Sequence, residues 1–471
     1  MAVLIKRLTL LEALGLSLAV VAPTVTAAFN ITLVVGAAGA AAPLAFVIAA
    51  VATVLIALSF MAFTHRVAHA GSAYAYITHT FGSRAGFIAG WALLLTYLGF
   101  GTGFAALVGS FTTAAFSDVG LSTGSSGWLV IGIIALLLAW RLAYQDMRLA
   151  GRLMLLLEAL AMIAIIFLCF AILHRVHPGS EQLASSFRPA RAFNGWVGLG
   201  FGMVFSMLSF AGFEGAATLG EETVNPRRAI PVALIGAVLL CAVFFTFVSY
   251  CEVVGFGPDG LRALANSEAP LDELSRRYVS ANLSIALDLA AATTCFSGTI
   301  GAIAAGGRVL FALGRVGLWR KLAEVHPVHG TPAPAIAVTA LLIILPFVLW
   351  APFAGGGNYY SYTSTIGVLA LLPIYIGVGA AEVVEARREG RRRWAAICAL
   401  GPVLLLWVLY CNVYPVPTYP SNLWPYVTFA WIASAVLVIR LRPALAAAPL
   451  PEYTPASPAP PGESGDRRWR P

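Results

Sequence analysis

Long apolar runs, separated by short polar segments, occupy most of the chain. A bilayer core about 30 Å thick is crossed by roughly 20 residues of α-helix, and about twelve runs approach this length. They predict an all-α polytopic membrane protein with about twelve transmembrane helices. In chain order, the approximate limits of spans 1 to 12 are Leu10–Gly36, Ala42–Phe63, Ala85–Phe116, Trp128–Ala143, Leu153–Leu173, Val197–Leu219, Ala229–Val254, Ala281–Ala305, Ala333–Ala351, Thr363–Ala381, Ala395–Tyr414 and Leu423–Ile439.

The composition excludes a water-soluble globular protein. Of the 471 residues, 59% are hydrophobic and 11% are charged, against roughly 45–50% and 25% in soluble domains. The net charge of +8 does not indicate a nucleic-acid partner, because 23 of the 29 lysines and arginines fall in loops or termini on one side of the membrane. The six on the other side are Arg175, Arg188, Arg191, Arg262, Arg276 and Arg277.

This asymmetry predicts the orientation, because positive residues collect on the cytoplasmic side. We expect a multi-pass protein of the cell membrane with both termini cytoplasmic. A membrane domain is predicted over residues 1–441, and residues 442–471, which are rich in Ala and Pro, are expected to form a disordered cytoplasmic tail.

Span 1 contains a helix-breaking residue near its middle. Pro23 lacks a backbone donor, so that carbonyls of the preceding turn lose their partner. Thr24, Thr26 and Asn30 bring polar groups to the same depth. Irregular backbone at this depth is tolerated where it lines a cavity or is buried in protein.

Span 6 is interrupted in a corresponding way, since Gly212, Glu214 and Gly215 lie halfway through an apolar run. Two interrupted spans five helices apart predict a five-plus-five inverted repeat with the substrate at the unwound midpoints. A packing role for either break alone remains an alternative. The predicted repeats cover about residues 10–173 and 197–381, with two peripheral helices at about 395–439.

Three further stretches carry a resemblance to a known family. Ser209–Glu214 is followed by Leu219–Pro231, Gly71–Tyr76 precedes span 3, and Arg308–Arg315 follows span 8. In this order they resemble the amino acid–polyamine–organocation (APC) permeases, over about spans 1 to 10. The resemblance implies a LeuT-like fold in which the unwound segments hold the amino and carboxyl groups of the substrate. The matching substrate-binding candidates are Ala22, Pro23, Thr24, Val25, Phe210, Ala211, Gly212 and Phe213.

The chain departs from this family at two positions. Many relatives carry a Gly-Ser-Gly-type segment where this chain has Ala22–Val25, and Pro23 offers no donor to a substrate carboxylate. Some proton-coupled relatives carry a lysine in span 5, near the position of Glu158. The first departure argues against an ordinary α-amino acid as substrate. The second means that the lysine-based coupling mechanism of those relatives cannot be transferred to this chain.

Ionisable residues at membrane depth are costly and are functional candidates. Glu214 is the best placed, either for proton relay or cation pairing or as a structural cap of the broken span. The remaining candidates for coupling or for lining the pathway are Glu158, Asp288, Tyr97 and Ser297.

These features predict a secondary active transporter that moves an amino acid, a polyamine or a related amine by alternating access. We expect coupling to protons or exchange, with Na⁺ as the weaker candidate, and no cofactor, metal site or catalytic residue. A polytopic membrane enzyme and a transporter-derived membrane sensor are the alternatives.

Overall fold

A computed structural model describes residues 9–66, 73–144, 147–214, 223, 225–327, 329–417 and 419–447, and this part of the chain is built from helices. The helices of the first half are α1 (Leu10–Val21), α2 (Pro23–Val25), α3 (Ile31–Ala38), α4 (Ala42–Arg66), α5 (Ala73–Phe81), α6 (Ser83–Asp118), α7 (Gly127–Ala143), α8 (Met147–Val176) and α9 (Ser180–Ser186).

The second half continues with ten further helices. They are α10 (Gly195–Phe210), α11 (Pro226–Phe256), α12 (Leu261–Asn266), α13 (Pro270–Tyr278), α14 (Ala281–Arg315), α15 (Ala333–Ala354), α16 (Gly356–Arg388), α17 (Arg392–Val413), α18 (Trp424–Leu441) and α19 (Ala444–Ala447). Span 1 corresponds to α1 to α3, and spans 2 to 12 correspond to α4, α6, α7, α8, α10, α11, α14, α15, α16, α17 and α18.

Nine helical segments of the described residues are long and apolar enough to cross a membrane, one of them running from Pro23 to Thr64. The helices α7 and α10 are apolar but shorter. The predicted all-helical membrane architecture is confirmed, whereas the count of twelve spans stays a prediction.

The observed helices bear on the predicted limits in two ways. Span 6 was expected to run to Leu219 with a break near its middle; α10 ends at Phe210, where the break begins, and the predicted end lies outside the described residues. Several helices are longer than predicted; α14 continues past Ala305 to Arg315 and α16 begins at Gly356. Hydropathy marks the depth of the lipid, while helical hydrogen bonding continues into flanks that contain polar and charged residues.

The helices α6 and α14 form the centre of the molecule, since 94% of the apolar window of each is buried, against 39% in α17 and 17% in α18. Small residues allow this close packing. A Cβ added to Gly99 of α6 would lie 2.5 Å from the carbonyl oxygen of Thr363 in α16. By this measure α18 is the least buried of the nine long segments, whereas α17 is buried to an extent similar to α8 and α15, each at 33%. The peripheral place of the last two spans stays a prediction.

The segment after α18 begins as ordered structure. Arg442 Nη1 donates to the carbonyl of Leu318 at 2.8 Å, and Leu445 in α19 is buried. Residues 442–447 therefore pack against the membrane domain, in contrast to the disordered tail expected there. The rest of that tail, residues 448–471, lies outside the described residues.

Candidate functional site

Span 1 breaks at Ala22, which has a left-handed backbone with φ 51° and ψ 65°. Its N–H still bonds to the carbonyl of Leu18 at 2.8 Å and closes α1. Pro23 then starts the second half-helix at the position where a missing N–H costs least. The N–H groups of Val25 and Thr26 both bond to the carbonyl of Ala22, at 3.0 and 3.3 Å.

The start of this second half-helix is capped by a carboxylate from span 5. Oε1 of Glu158 accepts from the backbone N–H of Thr24 at 2.8 Å and from its hydroxyl at 2.9 Å. Oε2 accepts from the hydroxyl of Thr294 in α14 at 2.6 Å. Since Pro23 has no N–H, the first-turn donors of the half-helix are all used within the protein.

Span 6 breaks directly after Phe210. Ala211 is extended, with φ −60° and ψ 137°, and Gly212 has φ 99°, a conformation that side-chain-bearing residues rarely adopt. Glu214 folds back onto this turn, and its Oε2 accepts from the N–H of Gly212 at 3.1 Å. Gly215, the other glycine of the predicted break, lies outside the described residues.

Two tyrosines from other spans complete the surroundings of Glu214. The hydroxyl of Tyr97 in α6 donates to Oε1 at 3.4 Å, and the hydroxyl of Tyr375 in α16 donates to Oε2. The ring of Tyr375 also packs against Phe213, with the ring centroids 5.3 Å apart. A fully buried carboxyl group is thereby given three donors, which offsets the cost of removing it from water.

The two breaks face each other. The hydroxyl of Ser17 in α1 donates to the carbonyl of Phe213 at 2.9 Å. Beyond the breaks, Asn30 Nδ2 donates to the hydroxyl of Ser209 at 3.2 Å, and Asn30 Oδ1 accepts from the hydroxyl of Tyr360 at 2.8 Å. Spans 1, 6 and 10 are thus tied together on both sides of the interruption.

The region between the breaks is closed to solvent. All of the substrate-binding residues that the family resemblance implies are buried: Ala22, Pro23, Thr24, Val25, Phe210, Ala211, Gly212 and Phe213. A substrate can reach them only after the helices move, and alternating access supplies such a movement. Their assignment as the binding site stays a prediction.

The coupling and pathway candidates occupy different places. Glu158 lies at the span 1 break, and Glu214 and Tyr97 lie together at the span 6 break. Ser297 is buried on α14, three residues after Thr294. Asp288 is buried earlier on the same helix, where its carboxylate groups with Asp118 and Asp272 instead of with the breaks.

Sequence reasoning missed Tyr360 and Tyr375, which both reach the broken spans from α16. Their rings count as apolar or interfacial residues in a hydropathy reading, so neither stands out. A polar tip on a buried aromatic ring still needs a partner. The signal in the sequence was the presence of two tyrosines about four turns apart on one long apolar span, because each hydroxyl needs a polar partner there.

Comparison with known proteins decides the family. A sequence profile described as amino acid permease matches residues 8–440. The chain belongs to the amino acid permease family. The predicted APC resemblance is confirmed, and the protein is a membrane transporter of this family, as opposed to an enzyme.

Several curated relatives are similar over most of the chain. The branched-chain amino acid permease BcaP of Lactococcus lactis is 26% identical, covering 71% of this chain and 75% of the relative. The low-affinity putrescine importer PlaP of Escherichia coli is also 26% identical, with 72% and 74% covered. The human cationic amino acid transporter 4 is 28% identical over 69% of this chain and 53% of the relative.

The fold matches that of a solved transporter. A mutant of the manganese transporter of Eremococcus coleocola superposes with a TM-score of 0.56 at 13% identity, covering 93% of this chain and 96% of that one. At this identity the likeness concerns the fold alone. It agrees with the predicted LeuT-like helical transporter fold.

Proposed function

We propose that this permease is a secondary active transporter that carries an amine cation, a monoamine or a polyamine, in preference to an α-amino acid. The proposal depends on one observation, the capping of the span 1 half-helix by Glu158. In related permeases, by the resemblance described above, the unwound segments receive both the carboxyl and the amino group of the substrate.

A substrate carboxylate would need free N–H donors at the start of the half-helix. Here the N–H of Thr24 is bonded to Glu158, and the N–H groups of Val25 and Thr26 are bonded to Ala22. A second carboxylate would also face the charge of Glu158 at close range. Both effects favour a substrate without a carboxylate.

An ammonium group would find acceptors at the same place. Pro23 supplies no N–H to the last turn of α1, and the N–H of Thr24 is directed to Glu158, so the carbonyls at the end of α1 have fewer helical donors. Glu158 and Glu214 supply buried carboxylates beside the two breaks. The similarity to a putrescine importer is consistent with such a substrate.

A hydrophobic α-amino acid is the second candidate. The apolar side chains of Val25, Phe210 and Phe213 lie at the breaks and are buried, and the relative named as a branched-chain amino acid permease is equally similar in sequence. For this substrate to bind, Glu158 would have to release the N–H of Thr24.

We also propose that transport is driven by protons or by exchange, with Na⁺ less favoured. Glu158 bridges spans 1, 5 and 8 through Thr24 and Thr294, so a change in its protonation acts on three spans at once. The excess of positive residues on one side supports cytoplasmic termini.

Uptake into proteoliposomes tests the proposed function. Labelled putrescine, a monoamine, leucine and arginine are offered under an imposed proton gradient, under an imposed sodium gradient and with unlabelled amine inside. We expect saturable amine uptake that responds to the proton gradient or to internal amine. Uptake of leucine alone would favour the second candidate. Saturable binding without flux under any condition would identify a sensor and contradict transport.

A further inference from the structure

Three aspartates from separate helices converge outside the substrate site. Asp118 ends α6, Asp272 lies in the short helix α13, and Asp288 lies in the third turn of α14. One carboxylate oxygen of each lies within 4.8 Å of the others. The cluster therefore joins span 3, the segment between spans 7 and 8, and span 8, at the end of the molecule predicted to face outward.

One arginine pairs with two of the three aspartates. Arg276 donates from Nη2 to Asp118 at 2.5 Å and from Nε to Asp272 at 2.7 Å. The adjacent carboxylates raise the pKa of this guanidinium, which holds its charge. Within the described residues, three carboxyl groups therefore share one guanidinium, and Asp288 makes no ion pair with it.

A single hydroxyl is shared between two of the carboxylates. Ser284 Oγ lies 3.0 Å from Oδ2 of Asp118 and in contact with Oδ1 of Asp272. One O–H can donate to one of them at a time, while the lone pairs of the oxygen stay available to a cation.

Asp288 gives independent evidence for a bound ligand in this cluster. The residue is 4% exposed, and within the described residues its Oδ2 has no hydrogen-bond partner. A buried carboxylate oxygen without a donor is costly. Because this side chain is directed at the other two carboxylates, a bound cation would satisfy it.

We propose that Asp118, Asp272, Asp288 and the hydroxyl of Ser284 bind Ca²⁺. All-oxygen ligand sets of this kind suit hard divalent cations. Ca²⁺ accepts about six to eight oxygen ligands in flexible geometry, whereas Mg²⁺ demands near-ideal octahedral coordination. Ligands that come from three separate helices therefore favour Ca²⁺, with water completing the coordination.

Bound Ca²⁺ would fasten α13 to the ends of α6 and α14. The helix α13 also contacts span 7, because the hydroxyl of Tyr278 at its end donates to the carbonyl of Gly255 in α11 at 2.7 Å. The site does not depend on the proposed substrate, and its failure would leave the transport proposal unchanged.

Calcium titration of the purified full-length protein, by calorimetry and by thermal unfolding, tests the site. We expect one saturable site and an increase in the unfolding temperature, with weaker binding of Mg²⁺. Asp288→Asn should weaken binding by at least about tenfold, because it removes one of the charged ligands. Asp259→Asn, in the same segment between spans 7 and 8, serves as the control that keeps normal affinity.

A second variant moves the affinity in the opposite direction. Arg276→Gln removes the competing positive charge and should tighten Ca²⁺ binding by about threefold or more. It also keeps the test valid if Asp288→Asn fails to fold. Absence of saturable Ca²⁺ binding, or equal affinity in the wild type and Arg276→Gln, would overturn the proposal. Stability that responds to pH but not to Ca²⁺ would assign the aspartates a shared proton instead.

Discussion

Spans 1 and 6 are each interrupted at a residue with a positive φ angle, which is Ala22 in span 1 and Gly212 in span 6. Glycine adopts this conformation without steric cost, while an alanine pays about 1–2 kcal/mol. The cost at Ala22 is offset by Pro23, which cannot continue the helix, and by the bond from Thr24 to Glu158. Pro23 and Gly212 are visible as breakers in the sequence, but the left-handed alanine is not.

Replacing Gly212 tests the assignment of the span 6 break. At φ 99°, an alanine should destabilise the folded protein by about 1–3 kcal/mol, and a leucine also places a bulky side chain at the break. We expect Gly212→Leu to abolish substrate binding while the protein still inserts into the membrane. Binding and unfolding temperature are measured together.

Gly236→Ala is the matched control for the Gly212 variants. A Cβ at Gly236 would lie 4.0 Å from Leu14 Cδ1, an ordinary contact, so binding and stability should stay close to wild type. Unchanged substrate affinity in Gly212→Leu would remove this segment from the binding site.

Glu214 is held by three donors at the break. Glu214→Gln keeps the size of the side chain but removes its ability to exchange a proton and places an NH₂ group against donors. If this group takes part in coupling, the pH dependence of uptake should flatten. Glu252→Gln, another buried glutamate, in α11, is the control and should keep the wild-type pH profile. An identical profile in Glu214→Gln would leave Glu214 a structural cap.

At the scale of elements, span 1 works as two half-helices, and Pro23 separates them. Pro23→Ala restores an N–H that can bond to the carbonyl of Ala19 and allows Ala22 to become helical, which relieves about 1–2 kcal/mol of strain. We expect an unchanged or higher unfolding temperature together with loss of transport. Pro346→Ala, within α15, tests the removal of a membrane-span proline elsewhere. Normal uptake in Pro23→Ala would show that the break is not required.

The breaks could be predicted from sequence because proline, glycine and glutamate are conspicuous in an apolar background. The residues that contact the breaks could not be predicted in this way. Glu158 reaches span 1 from a helix far along the chain, and Tyr360 and Tyr375 come from span 10. Such pairings depend on which faces of the helices meet, and hydropathy carries no information on that. The predicted limits of spans 8 and 10 were too short because their helices continue into flanks that contain polar and charged residues.

At the scale of the whole molecule, the orientation rests on the distribution of positive residues and can be tested by labelling. The six native cysteines are buried, which lowers the background for a membrane-impermeant thiol reagent. Ser122→Cys, exposed in the segment between α6 and α7, should react from outside intact cells. Glu324→Cys, exposed between α14 and α15, should react only after the membrane is opened. The reverse pattern would contradict cytoplasmic termini.

The central claim is that Glu158 occupies the place of a substrate carboxylate, and matched ligand pairs test it most directly. Ornithine and putrescine, lysine and cadaverine, and leucine and 3-methylbutylamine each differ by one carboxyl group. Binding of all six is measured to the wild type, Glu158→Gln, Glu158→Ala and the control Glu252→Gln.

We predict that the wild type and Glu252→Gln bind the amine of each pair at least about tenfold more tightly, a difference of about 1.4 kcal/mol. Glu158→Gln should weaken amine binding, and Glu158→Ala, which frees the N–H of Thr24, should shift the preference towards the amino acids. Tighter binding of the amino acid in every pair by the wild type would contradict the account.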